Sequence, residues 1–364
     1  MKLVLLGDLV PTAASIPAFE AEDCEKLMGS ALEEMRSADF TLCNLECALT
    51  DGEKRIRKMG PNLKGKPAYA KVIRDCGIDA CSLANNHVMD FGIQGFRDTV
   101  EALEEASVRH FGWGENEKDS RKAFFIQGEK KVGIVAVCEH EYSYALPDQM
   151  GSTPFDPFET MLDIEKTKAQ CDYLVVMYHG GKEQCQYPSP RLRKACRAMI
   201  HAGADLVLCQ HSHCIGCRES HEGGEILYGQ GNFNFAKYLD HPHWHSGLMV
   251  KLELGEKASI EYIPMVVTDT GITLAEGAEK EEILKGFSAR SEMLQDEKAW
   301  LAEWEAFCRS MEMNYRGAVK RTYAEIPEGE ECHQVFPHYL DCEAHLDVWK
   351  TLYQTWHARK ETGA

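Results

Sequence analysis

Short apolar runs alternate with amphipathic segments along most of the chain. The runs are rich in Val, Leu, Ile and Cys and are bounded by glycine or polar positions, which is typical of buried strands. They predict strands over residues 3–6, 40–45, 80–83, 132–138, 173–178, 205–209 and 225–228. Apolar positions at the helical period predict helices over residues 22–37, 67–77, 93–107, 156–170 and 189–202. This alternation predicts a layered α/β fold.

The pattern changes after residue 246. Residues 248–254 and 259–267 read as two sequential strands joined by a Gly-Glu-Lys turn, which predicts a closing β-hairpin. Residues 277–307 and 340–360 look helical and charged and carry four tryptophans. We therefore expect an α/β domain over residues 1–270 and a helical C-terminal extension over residues 271–364.

The composition is that of a globular protein: of 364 residues, 44% are hydrophobic and 27% charged. The apolar run that begins at Leu3 is closed by Asp8 and is too short for a signal-peptide core or a membrane span. We therefore expect a soluble, cytoplasmic protein with no membrane insertion. The fifteen cysteines are odd in number and often lie inside apolar runs, which predicts reduced, buried thiols.

The formal net charge is −18. Such an acidic surface repels nucleic acid and anionic membranes, so neither is an expected partner. An anionic substrate would need a local positive centre, which a metal ion supplies.

Polar residues recur where the predicted strands end. The motifs are Gly7-Asp8, Asn44-Leu45-Glu46, Asn85-Asn86-His87 with Asp90, His179-Gly180-Gly181, Gln210-His211-Ser212-His213 and Gly231-Asn232-Phe233. In open α/β sheets the carboxyl ends of the strands are where ligands bind. Carboxylate, amide and imidazole donors suit Zn, Mn or Fe, and two adjacent ions could be held if one carboxylate bridges them.

Taken singly, each motif also has a structural explanation. Asp8 could be a helix N-cap or turn residue, Glu46 a surface charge, and Asn85-Asn86 a turn pair. A lone His179 would be a half-buried histidine with its hydrogen bonds satisfied. The two rings of His211-Ser212-His213 share one face if the segment stays extended. The occurrence of all of these motifs in this order favours a metal centre.

Two further patterns have a weaker claim to metal. Cys214 and Cys217 have zinc-finger spacing, but no second cysteine pair completes a four-ligand site. Residues 241–245 contain three histidines and are interpreted as a surface loop, with the mouth of the cleft as the alternative.

The motifs together resemble the CapA family of poly-γ-glutamate capsule-synthesis proteins, whose domain is similar to calcineurin-like metallophosphatases. The resemblance spans roughly residues 1–270. The stretches that carry it are Gly7-Asp8, Asn44-Leu45-Glu46, residues 82–87 with Asp90 and Gly92, His179-Gly180, residues 203–207, His211-Ser212-His213 and Gly231-Asn232-Phe233. The fold implied is a layered α/β/β/α metallophosphatase-like sandwich with a C-terminal helical appendage.

The resemblance also implies roles. Asp8 and His213 would bind a first metal, Glu46 would bridge, and a second metal would be bound by Asn86, His179 and His211. His87 would act as general acid or steady transition-state charge, and Asp90 would orient it. Asn44, Asn85 and Asn232 would support the ligands or contact substrate. The cofactors implied are one or two divalent ions, Mn, Fe or Zn.

The sequence departs from the family pattern in three ways. Calcineurin-like enzymes have Asp-x-His in the first motif, whereas Leu9 and Val10 follow Asp8 here, so the first metal lacks an imidazole. Cys47 stands where the family often has Gly. Family members are commonly membrane-anchored, and no anchor is predicted in this sequence.

The function implied is a metal-dependent phosphoesterase, in which a metal-bound hydroxide attacks the phosphate ester of a small phosphorylated or γ-glutamyl substrate. The alternative is a non-hydrolytic, metal-dependent binding or assembly protein in polyglutamate metabolism. Amide hydrolysis at the same centre and a scaffold without metal are further possibilities. The sequence gives no prediction of oligomeric state.

Overall fold

The computed structural model describes residues 1–139, 142–236, 238, 240–324 and 335–362. The strands are β1 (Lys2–Leu9), β2 (Phe40–Leu45), β3 (Ala48–Leu49), β4 (Lys64–Gly65), β5 (Ala80–Ser82), β6 (Arg109–Phe111), β7 (Trp113–Gly114), β8 (Phe124–Ile126), β9 (Val132–Cys138), β10 (Gly151–Ser152), β11 (Tyr173–His179), β12 (Leu206–Gln210), β13 (Arg218–His221), β14 (Gly224–Leu227), β15 (Asn232–Asn234), β16 (Ser246–Leu254), β17 (Ala258–Val267) and β18 (Ile272–Leu274).

The helices are α1 (Ile16–Glu20), α2 (Cys24–Met28), α3 (Ala31–Arg36), α4 (Tyr69–Asp75), α5 (Gly92–Glu105), α6 (Glu117–Ser120), α7 (Glu159–Lys168), α8 (Pro190–His201), α9 (Gly277–Met293), α10 (Glu297–Ala324), α11 (Val335–Asp341) and α12 (Glu343–Thr362). Among these described helices, even the long α10 and α12 lack a stretch apolar enough to cross a bilayer.

Two sheets form the centre of the protein. The first has the strand order β18-β17-β16-β1-β2-β5-β6, with β15 beside the end of β1. The second has the order β13-β14-β12-β11-β9-β8. The strands β1, β2, β5 and β6 are parallel to one another, as are β9, β11, β12 and β14. Parallel strands bring their carboxyl ends to one edge of a sheet, so the motifs that follow them converge.

The two sheets face each other. Alternate side chains of each strand point to opposite faces, so one set lies between the sheets and the other set faces the helices. Leu3 and Leu5 lie in the same apolar cluster as Val175 and Met177 of the second sheet. The intervening Val4 packs instead with the layer that contains α1 to α5. On the far side of the second sheet, strand residues pack with α7 and α8. The predicted α/β/β/α layering and the C-terminal helices are confirmed.

The predicted strands are present, with ends shifted by a few residues, and three predicted helices are interrupted, the one expected over residues 340–360 at Cys342. The helix expected over residues 22–37 is divided into α2 and α3 at Gly29, which has a φ of 47° and whose Cβ would lie 2.7 Å from the Ile272 carbonyl oxygen. The helix expected over residues 277–307 breaks between α9 and α10. The sequence pattern did not predict the shorter elements, such as β15 and α6.

The prediction that all cysteines are reduced is wrong for one pair. Cys24 of α2 and Cys76, which follows α4, form a disulfide with a Cα–Cα distance of 5.2 Å. They are 52 residues apart and meet only because both helices pack on the same face of the first sheet. The other described cysteines are free thiols, and nearly all of them are buried.

The C-terminal helices α10 and α12 enclose a small core of their own. It contains Trp304, Cys308, Tyr315, Val348 and Leu352, together with Cys185 from the loop after β11.

Polar contacts connect this helical unit to the sheets. Asp347 of α12 accepts hydrogen bonds from Ser189 Oγ at 2.5 Å and from Arg191 Nε at 2.9 Å. Arg191 also bonds Glu139, whose other oxygen accepts from Gly181 N at 3.0 Å. Helix α12 is thereby linked to the loop that follows His179.

Glu219 forms a buried ionic cluster that should make the fold sensitive to acid. Burial alone would raise the pKa of Glu219, but hydrogen bonds from Arg193, Arg197 and Tyr228 lower it to about 2. Because the folded pKa lies below the unfolded value, the carboxylate stabilises the fold fully above about pH 4.5. This contribution is lost as the pH falls toward 2.

We expect Glu219→Gln to lower the free energy of unfolding at pH 7 by about 3 kcal/mol, because it leaves the buried Arg193 without its counter-charge. The deficit relative to wild type should shrink at pH 3, as measured by urea denaturation at both pH values. The exposed neighbour Glu222 is the control, and Glu222→Gln should change stability by less than about 0.5 kcal/mol. A deficit that is equal at both pH values would contradict the assignment.

Candidate metal centre

The polar motifs meet where the carboxyl ends of β1, β2, β11 and β12 converge. Asp8 is in register with Asn44 of β2 and with Asn232 of β15, and His179 is in register with Gln210. Close approach of the chain requires glycine at position 7, since a Cβ there would lie 2.4 Å from the Gly231 carbonyl oxygen. The strand ends therefore bring Asp8, Glu46 and the three histidines into one buried cluster.

Glu46 lies at the centre of this cluster. Its Oε1 is 3.3 Å from His179 Nε2 and 3.7 Å from His213 Nε2. Asp8 Oδ1 is 3.7 Å from His179 Nδ1, and Asp8 Oδ2 is 3.5 Å from His213 Nδ1. The His211 ring packs edge-on against the His179 ring, with centroids 4.9 Å apart.

These side chains form two overlapping triads, Glu46-His179-His211 and Asp8-Glu46-His213, in each of which the ligand atoms lie within 4.8 Å of one another. Two donors that bind one ion at about 2.1 Å lie at most about 4.2 Å apart, so the carboxylate–imidazole separations of 3.3 to 3.7 Å suit a shared cation. Glu46 belongs to both triads, which is the position a bridging carboxylate would occupy. The donor set fits divalent metal ions.

Asparagines surround the ionisable side chains. Asn44 Nδ2 donates to Asp8 Oδ1 at 2.8 Å and lies 3.1 Å from His179 Nδ1, while Asn85 Nδ2 donates to Asn44 Oδ1 at 3.1 Å. Asn86 Oδ1 is 2.9 Å from His179 Nε2, so this amide oxygen reaches the cluster directly.

Asn232 holds the opposite side of the cluster. Its Oδ1 lies 2.9 Å from His213 Nδ1, and its Nδ2 donates to the Trp244 carbonyl oxygen at 3.1 Å. The contacts of Asn44, Asn85 and Asn232 therefore orient the neighbouring donors, which is how outer residues tune a metal site.

Burial sets the electrostatics of the cluster. It raises the pKa of Asp8 and lowers the pKa of His213, and each of these effects is opposed by attraction between the two groups. A buried carboxylate is stabilised by a nearby cation, and an imidazole must be neutral to donate its lone pair. Both conditions fit a metal centre.

The His211-Ser212-His213 segment is not extended as expected. His211 has a φ of 78° and His213 a φ of 51°, which places both in the left-handed region that these residues rarely adopt. The two rings nevertheless approach each other, with centroids 5.9 Å apart. Unfavourable backbone conformations of this kind concentrate at functional sites.

Asp8, Glu46, His179, His211 and His213 are called the metal-ligand cluster below. His87 lies beside it and forms hydrogen bonds with Asp90 and Lys58. Its Nδ1 is 2.7 Å from Asp90 Oδ2, and Lys58 Nζ donates to Asp90 Oδ1 at 2.5 Å. Asp90 Oδ2 also accepts from Leu63 N at 2.6 Å. His87 Nδ1 can donate to the Asp90 carboxylate, and Lys58 Nζ lies 3.1 Å from the same nitrogen.

Sequence reasoning missed three charged residues near the cluster. The Lys58 side chain is only 2% exposed, although it lies in a charged segment that reads as a surface loop. Lys182 and Glu183 follow the His179 motif and line the cavity described below. Together with His211 and His213, Glu183 forms a third group that could hold a metal ion. The run of basic residues that ends at Lys58 gave no signal of its burial.

A cavity of about 360 Å³ opens beside the cluster. Asn86, His87 and His213 form the side nearest the ligands. The remaining lining residues include Lys58, Met59, Leu63, Lys182, Glu183, Phe235, Tyr238, Trp244, Met311, Tyr315, His338, Tyr339 and His345.

The aromatic residues Tyr142, Tyr144, Phe233 and Trp244 differ in their positions. Trp244 lines the cavity and packs on the His213 ring, with centroids 4.5 Å apart. Phe233 is fully buried in the main core, Tyr144 contacts Glu343, and the Tyr142 ring lies 5.8 Å from Lys58 Nζ.

The two weaker metal candidates remain apart from the centre. Cys214 and Cys217 are buried free thiols, and burial raises the pKa of Cys214 to about 12. Neither belongs to any possible metal-binding group in the described part of the chain. His241 and His243 contact each other, with ring centroids 5.4 Å apart, and likewise join no such group there.

Residues 2–237 match the family model described as "Bacterial capsule synthesis protein PGA_cap". The chain is 31% identical to capsule biosynthesis protein CapA of Bacillus anthracis over 215 residues, which are 55% of this chain and 51% of that protein. It is 30% identical to PGA biosynthesis protein CapA of Bacillus subtilis over 210 residues, which are 55% of this chain and 54% of that protein. The chain thus spans about half the length of these curated relatives.

Two solved structures show lower similarity. A hypothetical protein from Thermus thermophilus superposes with a TM-score of 0.46 at 14% identity, covering 74% of this chain and all of that one. A dimetal phosphatase from Danio rerio gives a TM-score of 0.34 at 9% identity, covering 75% of this chain and 98% of that one.

Proposed function

The chain belongs to the PGA_cap family of bacterial capsule synthesis proteins, and from this starting point we propose that it is a metal-dependent phosphoesterase acting on a small phosphate ester. The observation that carries the proposal is the position of Glu46 in two ligand triads beside the cavity that His87 lines. Asp8, Glu46, Asn86, His179, His211 and His213 would hold one or two ions of Mn, Fe or Zn. When bound, such ions activate water and stabilise the negative charge of the phosphoryl group.

The protein residues supply orientation and proton transfer. Asn44 fixes Asp8 and His179, and Asn232 fixes His213. With its Nδ1 proton directed at Asp90, a protonated His87 presents the Nε2 proton for transfer to the departing ester oxygen. Lys58 stabilises the Asp90 carboxylate, and Lys182 adds positive charge to the cavity where an anionic substrate would lie.

A second candidate is a non-hydrolytic role in polyglutamate metabolism, in which the metal centre binds a carboxylate or phosphorylated intermediate. The name of the Bacillus subtilis relative, PGA biosynthesis protein CapA, favours this role. The first motif, Gly7-Asp8, favours it as well. Leu9 and Val10, which follow Asp8, are buried apolar residues and add no imidazole to the first metal.

The two candidates are separated by one experiment on the full chain. Protein loaded with Mn²⁺ or Zn²⁺ is assayed for inorganic phosphate release from a panel of phosphate monoesters, and binding of γ-glutamyl oligomers is measured by calorimetry. We expect phosphate release that chelation abolishes and that added metal restores. Metal-dependent binding of the oligomers without release from any ester would instead support the second candidate.

A further inference from the structure

The C-terminal helices complete the cavity beside the metal-ligand cluster. Helix α10 contributes Met311 and Tyr315, α11 contributes His338 and Tyr339, and α12 contributes His345. We call these five residues the recognition wall. All of them lie outside residues 2–237, the part that matches the family model. The wall therefore lies in a part of the chain that the family model does not cover.

Hydrogen bonds and ring contacts hold the recognition wall in place. Tyr315 Oη lies 2.5 Å from His345 Nδ1, and His345 Nε2 lies 3.1 Å from His338 Nε2. Burial raises the pKa of Tyr315, so its hydroxyl stays protonated. Tyr339 packs edge-on against Tyr315 with centroids 4.9 Å apart. The rings of the wall are therefore ordered before any ligand arrives, which lowers the entropic cost of binding.

The wall is also fixed relative to the α/β layers. The His338 ring stacks on Tyr142 at an interplanar angle of 9°, with centroids 6.0 Å apart. Asp347, one helical turn before Thr351, bonds Ser189 and Arg191. Trp304 Nε1 in turn donates to Thr351 Oγ1 at 2.9 Å, which joins α10 to α12.

The cavity lining combines charged and aromatic side chains. Lys58 Nζ lies 3.1 Å from His87 Nδ1 and 3.3 Å from the Asn86 carbonyl oxygen, and Lys182 and Glu183 also line the cavity. Much of the lining consists of rings, since Phe235, Tyr238 and Trp244 contribute to it along with the wall. Aromatic faces stack on planar groups. A volume of about 360 Å³ is that of a small-molecule site.

We propose that the recognition wall selects phosphate monoesters whose alcohol carries a planar ring, such as aryl or nucleoside monophosphates. This inference rests on the proposed phosphoesterase function for the position of the phosphate. It assigns the ring-bearing part of the substrate to the wall and the phosphate to the lysines and the metal-ligand cluster.

The test compares two probes that share a phosphate and a ribose and differ only in the base, adenosine 5′-monophosphate and ribose 5-phosphate. Their dissociation constants for the metal-loaded protein are measured by calorimetry, and phosphate release from each is measured separately. We expect the adenosine compound to bind about tenfold more tightly, which is within the range of base stacking on aromatic side chains. Equal dissociation constants would overturn the proposal whether or not either compound is hydrolysed.

Variants test whether the wall causes the tighter binding of adenosine 5′-monophosphate. Tyr339→Leu should reduce the binding ratio toward one, while Tyr339→Phe, which keeps the ring, should preserve it. Tyr353→Leu removes an exposed tyrosine of α12 outside the cavity and is the matched control. Thermal denaturation shows whether each variant is folded. Tight binding of the nucleotide without phosphate release would retain the recognition wall and reject only the phosphoesterase function.

Discussion

The double variant Asp8→Asn, His179→Gln is expected to lose its bound metal and, with it, phosphoesterase activity. Asp8→Asn replaces a charged carboxylate by a weaker, neutral amide oxygen, and His179→Gln removes an imidazole, each in a different triad and with little change in side-chain size. Wild-type protein purified with Mn²⁺ or Zn²⁺ should hold about one or two equivalents of metal, and the variant less than about a tenth of that. Elemental analysis gives the metal content, and phosphate release should fall by at least about 10³-fold.

Stability provides a second readout of the same variant. Because burial raises the pKa of Asp8, a neutral amide avoids the cost of a buried charge, but it can accept only one of the two hydrogen bonds that the carboxylate accepts from Asn44 Nδ2 and His211 N. Metal that binds only the folded state raises the melting temperature, so wild type should gain stability on metal addition and the variant should not. Asp163→Asn, His110→Gln is the matched control, since both positions lie outside the cluster. Metal retained by the double variant would refute the assigned ligands.

Alanine at His87 is expected to lower kcat by about 10²- to 10⁴-fold while leaving the metal content unchanged. The residue lines the cavity, and Asp90 fixes its ring through a 2.7 Å contact. It is not a member of either triad, so its loss removes the proton donor and leaves the ligands in place. Steady-state kinetics and elemental analysis on the same preparation separate these two effects.

The position of Asp90 allows a graded version of this experiment. Asp90→Asn keeps the shape of the side chain but removes the charge shared by His87 and Lys58, so its kcat should lie between wild type and His87→Ala. His221→Ala, on β13, is the control and should retain wild-type kinetics. A His87→Ala enzyme with unchanged kcat would show that the leaving oxygen is protonated by another group.

The strand-end motifs could be located from the sequence because their geometry is local. Asp8, Glu46 and His179 each lie at or just after the carboxyl end of a strand with a clear apolar pattern, and parallel pairing brings such ends together. The layering follows from the same alternation of Leu3 and Val4 to opposite faces. Information of this kind is contained within a few residues of each strand.

Other features depend on contacts between distant parts of the chain and left no local pattern. The Cys24–Cys76 disulfide needs two helices to pack side by side. Lys58 is buried where its ammonium group donates a hydrogen bond to Asp90, which lies 32 residues later in the sequence. His211 and His213, which follow β12, have a left-handed backbone that their residue types do not predict.

The division between the family match and the recognition wall has an evolutionary consequence. The metal-ligand cluster lies within residues 2–237, whereas the wall residues Met311 to His345 lie beyond them. Insertions or replacements in α10 to α12 can therefore alter the shape of the cavity without disturbing the strands that hold Asp8 and Glu46. Under the proposed function, the metal centre would lie in one segment of the chain and substrate selection in another, so exchange of the helical module would change the substrate and keep the chemistry.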